Sequence, residues 1–389
     1  MIIFGKRNAL FLFVICIYAA THFATTTVTI PIKKKGAGPL FRFQQARKWG
    51  FMDRRGKTII KPQFDQAGDY FTGLARVSRD RMWGYIDESG HLSIPYQFDD
   101  SGDFVEGLAP VQVGRKWGII DPAGKFVLEP RFQAIREFSD GMAIVEVWDS
   151  VKCGNSTYTS EEAPIDYSNP HEVINSIGSG CSVQNRRVGF VDRTGNLVIP
   201  PQFVIAYPFS DGFAVVSQSY DSKCGYIDKT GRFAIAPQFD QAWPFSEGFA
   251  GVEIGVRFEG GVKVAGKWGF IDTTGQFVIA PRFESVGPFS EGLAEAAEEL
   301  GYWGYINKHG KFEIAQRYQE THEFSDGVAW VYTYEADRGY YIDKSGKKVL
   351  IPSREARWSF SDGLTIVGDS GDQQYIDLKG RVIASYERP

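Results

Sequence analysis

The chain has 389 residues, 43% of them apolar and 15% aromatic, with 43 glycines and a formal net charge of −4. This aromatic content excludes a disordered chain and suits half-buried strands. The slight acidity, with a pI near 5.9, gives no electrostatic ground for nucleic acid or an anionic membrane surface as partner, and the length admits either several domains or one long array.

At the N-terminus Lys6 and Arg7 precede an apolar run over 9–20, the length of a signal-peptide core and short for a bilayer span. Residues 1–24 read as a signal peptide. Cuts after Ala20 or Ala24 would leave Tyr18 or His22 three residues back, so an uncleaved N-terminal anchor, the chain's single route to a membrane, is the alternative. Cys16 follows Val14 and Ile15 rather than small residues, which argues against lipid attachment. Residues 25–37, with the basic run Lys33, Lys34, Lys35, read as a solvated linker.

From residue 38 the chain repeats itself, most plainly in WGFIDTTGQFVIAPRFESVGPFSEG at 268–292. Aligned on the acid of the WGFID segment, the copies fall at Asp53, Asp87, Asp121, Asp192, Asp228, Asp272, Asn307, Asp343 and Asp377. Three residues after each comes a glycine: Gly56, Gly90, Gly124, Gly195, Gly231, Gly275, Gly310, Gly346 and Gly380. A period of about 35 residues marks a repeat architecture and overrides a domain count from length. The FSEG-type glycine comes 20 residues after the acid in every complete copy, whereas the interval from it to the next acid runs 14, 14, 51, 16, 24, 15, 16 and 14. Every insertion therefore falls in one connection, on one edge of the array. The organisation reads as repeats one to three over 38–148, an insertion over 149–187, and repeats four to nine over 188–389.

Within a copy, a short alternating run such as 108–111 is followed by a polar turn, the segment 116–121, the Asp-Pro-Ala-Gly turn and a further run over 125–129. This is a three-stranded antiparallel meander. The Asp of the Asp-x-x-Gly turn can accept from a backbone N–H two residues on, and the glycine can take positive φ. Intervals of 14, 16 and 24 share parity and keep the same side chains on one face. The interval of 15 before Asn307 breaks that parity, so a bulge is expected there. After the third strand, links such as 237–248 start with Pro237 as a strand stop and carry Phe239 and Phe245, which can plug into neighbouring meanders. In the insertion, Asn169, Pro170 and Glu172 fit a capped helix over 170–177, and Asn155 begins a glycosylation sequon. Cys153 and Cys181 flank that helix; in an oxidising compartment they form the favoured disulfide, with Cys224 inside a strand left over.

Trp49-Gly50, Trp83-Gly84, Trp117-Gly118, Trp268-Gly269 and Trp303-Gly304, each followed by two apolar residues and an Asp or Asn, make the chain resemble the WG-repeat (KWG) family over roughly 38–385. The resemblance implies a β-rich repeat module without a shared enzymatic activity. The expected fold is an all-β tandem array of nine three-stranded meanders, β-solenoid-like, with a propeller-like closed ring as the alternative.

The tryptophans of the WG row read first as packing and second as sugar-stacking platforms. Trp148, Trp243, Trp330 and Trp358 lie outside that row and are the candidate contact residues. The repeated aspartates read as turn caps rather than calcium ligands, His91 and His309 as exposed turn residues, and Glu295, Glu298 and Glu299 as a solvated acidic run. Gly368-Asp369-Ser370-Gly371 matches a protease nucleophile segment but falls in an ordinary turn, without a matching histidine motif. No catalytic residue, cofactor or metal is expected. The function expected is non-catalytic binding or scaffolding outside the cytoplasm, in the periplasm, at the cell surface or secreted. A protein is the first choice of partner and a polysaccharide bound through exposed aromatics the second, with a hydrolase a distant third.

Overall fold

The computed structural model describes residues 40–389 except 154–155, 160–180, 260–261, 300, 337, 355, 357–358, 369–371 and 388–389. The leader, the linker, the expected helix, Asn155 of the sequon, Trp358 and most of the protease-like segment lie outside the described residues. Within the compact unit Ala37–Pro389, nine small antiparallel sheets form a nine-bladed β-propeller, and no helix occurs among the described residues.

The blades span 41–64, 66–98, 100–132, 134–203, 205–239, 241–283, 285–318, 320–350 and 364–387. Blade 2 shows the plan: Gln66–Ala67, Leu74–Arg79, Met82–Asp87 and Leu92–Phe98 pair in sequence order. The expected meander supplies the last three strands. The link supplies a short first strand in blades 2 to 8, whereas blades 1 and 9 have three strands.

Closure is what distinguishes a ring from an open solenoid, and the same contact repeats at every junction. Each Asp-x-x-Gly glycine packs on the last strand of the preceding blade: Gly90 on Ile60, Gly124 on Ile94, Gly231 on Ile199, Gly275 on Ile235. Gly56 of blade 1 packs on Ile383 of blade 9. The Tyr375 hydroxyl donates to the Arg42 carbonyl at 3.3 Å, and the Phe41 and Tyr375 rings lie 5.8 Å apart. Closure leaves no terminal blade with an uncovered apolar face.

The turns form as their chemistry requires. Asp53 Oδ1 accepts from the N–H groups of Arg55 and Lys57 at 2.9 Å, and the pattern recurs at Asp87, Asp121, Asp192, Asp228, Asp272, Asn307, Asp343 and Asp377. The WG glycine answers a different need. Trp268 pairs with Phe283 and Phe270 with Ile279, so two residues of the third strand face four of the fourth. The bulge drives backbone against Gly269, where a Cβ would sit 2.6 Å from the Ile279 carbonyl oxygen. The same bulge corrects the expected role of Pro237: it lies inside the strand Phe233–Phe239 rather than ending it. Phe239 and Phe245 are buried as expected, with Phe245 of blade 6 4.8 Å from Tyr226 of blade 5. The parity break before Asn307 produces its bulge, between Ala296↔Gly304 and Glu299↔Tyr302.

The FSEG segments are tight turns whose acid and glycine both take positive φ, as in Glu247 at 55° and Gly248 at 83°. The acid's carboxylate accepts from the turn glycine N–H of the next blade: Glu106 from Gly141, Asp140 from Gly212, Asp211 from Gly248, Glu247 from Gly292, Glu291 from Gly327 and Asp326 from Gly363. Lys229, Lys308 and Lys344, from the Asp-x-x-Gly turns of that next blade, pair with Asp140, Glu247 and Glu291. Beside this belt, Ser246, Ser290 and Ser325 donate to Phe289, Phe324 and Phe360 carbonyls at 2.7 Å.

Candidate binding face

In an antiparallel blade, the first-to-second and third-to-fourth turns lie on one face of the ring. The second-to-third connections and the links lie on the other. The first, here the turn face, carries the carboxylate belt. The link face carries both insertions. In blade 4 the second and third strands run on into the sheet Ser150–Cys153, Ser156–Thr159 and Cys181–Gln184. Blade 6 adds the hairpin Arg257–Glu259 with Val262–Val264. Exposed large side chains gather at the same connections: Tyr220 at 73%, Tyr302 at 51% and Tyr334 at 81% exposure.

The blade 4 extension has a charged foundation. Glu146, 3% exposed, receives two hydrogen bonds of 2.7 Å from Arg186 and two of 3.2 and 3.3 Å from Arg136, while Arg186 also donates to the carbonyl of Val204, between blades 4 and 5. Burial alone would raise the Glu146 carboxyl, but the Arg186 hydrogen bonds and both guanidinium charges hold it below its ordinary value. Cys153 and Cys181 stand directly opposite each other in the strand register. Antiparallel partners have Cα atoms about 4.5 to 5.5 Å apart, within disulfide reach. Cys224 is buried, and burial pushes its thiol up.

Of the candidate tryptophans, the three described ones, Trp148, Trp243 and Trp330, do not form an exposed surface together. Trp148 and Trp330 are each 3% exposed. Trp330 fills the volume left by a missing WG tryptophan, since Gly339 stands in that position and a Cβ there would collide with the Trp330 ring. The His322 ring lies 4.9 Å from it, tilted by 45°. Trp243 lies over Gly251 and stacks on Trp268 at 5.6 Å and 16°. Within the WG row Trp117 is fully buried, and Trp83 and Trp268 are 9% and 7% exposed. Trp49 and Trp303 are half-buried, and Trp49 carries the Arg42 guanidinium over its ring at 5.4 Å. The described tryptophans thus pack mainly against the protein, with Trp49 and Trp303 partly exposed. The aromatics the sequence reading missed are the three tyrosines, whose only signal was their place in the one connection that varies in length.

The acidic run divides at the bulge between Ala296 and Glu299. Glu298 and Glu299 are exposed, with Glu298 paired to Arg282 at 3.0 Å. Glu295 is not solvated with them: it lies over Gly287, and burial, then the neighbouring Glu323, push its carboxyl up to about 8. A second inter-blade cluster joins Arg76 to Asp103 at 3.0 Å, with the Asp103 N–H toward Glu137. Burial raises both carboxyls despite Arg76. His91 and His309 are exposed turn residues.

Comparison with known proteins is consistent with this architecture. The sequence model described as WG containing repeat matches residues 49–81, 83–117, 117–147, 189–220, 225–255, 268–297 and 303–333. No curated protein matches the chain significantly. Among solved structures, a eukaryotic initiation factor aligns with TM-score 0.54 at 10% identity, covering 90% of this chain and 96% of that one. BamB from Moraxella catarrhalis aligns with TM-score 0.36 at 10% identity, covering 83% and 96%. Apo AztD from Citrobacter koseri aligns with TM-score 0.31 at 13% identity, covering 74% and 80%.

Proposed function

The chain belongs to the WG containing repeat family, and from that premise we propose that it is a non-catalytic, exported scaffold that binds another protein on its link face. The observation that carries this reading is the placement of every length change: the blade 4 sheet and the blade 6 hairpin both rise from second-to-third connections, beside exposed Tyr220. Tyrosine supplies contact area at low entropic cost and suits protein interfaces. Export rests on the charged and apolar leader over 1–20 and on the facing cysteines.

The test is affinity capture from the native envelope with the intact protein and a variant lacking 150–184. That deletion leaves Trp148, Asp149, Asn185 and Arg186 as a four-residue connection between the paired Val147 and Arg187, and it keeps the Glu146 ion pair. Partners captured by the intact protein should be lost from the variant at unchanged melting temperature. An unchanged partner set would remove recognition from the insertion.

A further inference from the structure

A polar contact joins neighbouring blades near their first strands. Three residues after the FSEG-type position, blades 1 and 2 carry arginine, as Arg42 and Arg76. Each pairs with the acid that stands four residues before the corresponding glycine of the next blade, Arg42 with Asp69 at 3.1 Å and Arg76 with Asp103 at 3.0 Å. Each also donates to a carbonyl of that blade's first strand, at Ala67 and Ser101. Blade 7 carries Glu295 at the arginine position, and blade 8 carries Glu323 at that of the acid. The packing is the same, since Arg76 lies over Gly68 and Glu295 over Gly287, glycines of one repeat position. The charge differs: two carboxyls meet where blades 1 to 3 place a carboxylate and a guanidinium.

The surroundings offer these acids no cation. Glu295 stands opposite Tyr305 in the ladder, and the Tyr305 hydroxyl donates to the His322 carbonyl at 2.8 Å. Blade 8 contributes Thr321, His322 and Glu323, and blade 7's first strand contributes Gly287 and Pro288, which do not titrate. Glu295 Oε1 is buried and accepts no hydrogen bond from the described residues. Burial and then the Glu323 charge raise the Glu295 carboxyl, a Thr321 hydrogen bond offsets part of this, and burial raises Glu323. No lysine or arginine is among the charges acting on either group. Burial raises Asp103 as well, but there Arg76 is in place to hold the ionised form.

We propose that the junction of blades 7 and 8 is a pH-gated seam of the ring. While either Glu295 or Glu323 is protonated the two blades stay closed; once both ionise, their repulsion parts this junction and leaves the others shut. Glu295 is raised to about 8 from an ordinary 4.5, so closure is firmest below the ordinary value and weakens as pH rises through that window. Opening is local because every other junction keeps its own contacts. The seam stands apart from recognition on the link face.

The test is hydrogen exchange on the full-length protein at about pH 6 and about pH 9, corrected for the intrinsic pH dependence of exchange. Amides of Leu293–Glu299 and Glu320–Thr321 report the seam. Those of Ala214–Ser217 and Gln241–Ala242 report the junction of blades 5 and 6, where Val215 and Pro244 hold the same two positions. Protection at the seam should fall at least about 10-fold between the two pH values, against less than about threefold at the control junction. E295Q keeps the side-chain shape and should cut the seam's loss to under about threefold, while E323Q, which removes the neighbouring charge, should reduce it. E295R restores the arginine of blades 1 and 2 and should keep the seam closed at the higher pH; if it does not fold, the glutamine variants decide. Unchanged seam protection in the parent protein, an equal loss at both junctions, or the same loss in E295Q as in the parent would each overturn the proposal.

Discussion

The two faces of the ring use the same residue types to opposite ends. On the turn face, carboxylates, glycine N–H groups and lysines bond across blade junctions, as in the contact from Asp211 to Gly248 and the pairing of Lys229 with Asp140. Polar capacity there is consumed in holding neighbours in register. On the link face, hairpin tips project Arg47, Arg81, Tyr220, Tyr302 and Tyr334 outward, and both insertions emerge. A ring needs one rim that tolerates no change in length; the other rim is then free to vary. Function is therefore to be sought where connection lengths differ.

The largest expected effect separates the foundation of the link face from its surface. Glu146→Ala leaves the half-buried Arg136 and Arg186 without their buried carboxylate and should cost about 3 kcal/mol in urea unfolding; a loss below about 1 kcal/mol would show that the ion triad contributes no more than a surface pair. A Cys153–Cys181 bridge should close its loop with about 3–4 kcal/mol of local stabilisation. Non-reducing peptide mapping should recover that bridge and leave Cys224 slow to alkylate, whereas a map pairing Cys224 would refute the assignment. Gly269→Ala, which presses a Cβ on the fourth-strand bulge, should cost roughly 1–3 kcal/mol. On the turn face, Asp211→Ala removes one belt contact of an exposed residue and should cost about 1 kcal/mol; a cost matching Glu146→Ala would erase the contrast between a distributed belt and a concentrated foundation.

pH offers a finer test, because the two carboxyls have opposite signs. Glu146 is held below its unfolded value, so its contribution is full above that value and is lost as pH falls through the folded one. Glu295 is raised to about 8 from an ordinary 4.5, so stability is greatest below the unfolded value and declines as pH rises through that window. The melting temperature of Glu295→Gln should therefore fall less between pH 5 and 8 than that of the parent protein. Parallel curves would place Glu295 in water.

Much of this molecule was legible before any coordinate. Asp-x-x-Gly predicts its own turn because every bond it needs lies within four residues, as from Asp53 to Lys57. The parity of the intervals located the bulge at 296–299, since strand alternation is a local rule. The two-residue first strands, such as Gln66–Ala67, are too short to carry a period. Trp330 read as a contact residue because nothing local reveals that Gly339, nine positions on, vacates the volume it fills.

What the sequence alone determined is the number of blades, their internal pairing, the turn chemistry and the one edge open to insertion, all consequences of short-range backbone geometry repeated nine times. Only the tertiary structure decided that the array closes, through Gly56 on Ile383 and Tyr375 on Arg42. It also decided which acids are buried, which tryptophans are walls, and that Glu295 and Glu323 of neighbouring blades meet at one junction. Those outcomes depend on the angle between successive blades, a small rotation that no single repeat encodes and that becomes visible only when nine of them meet.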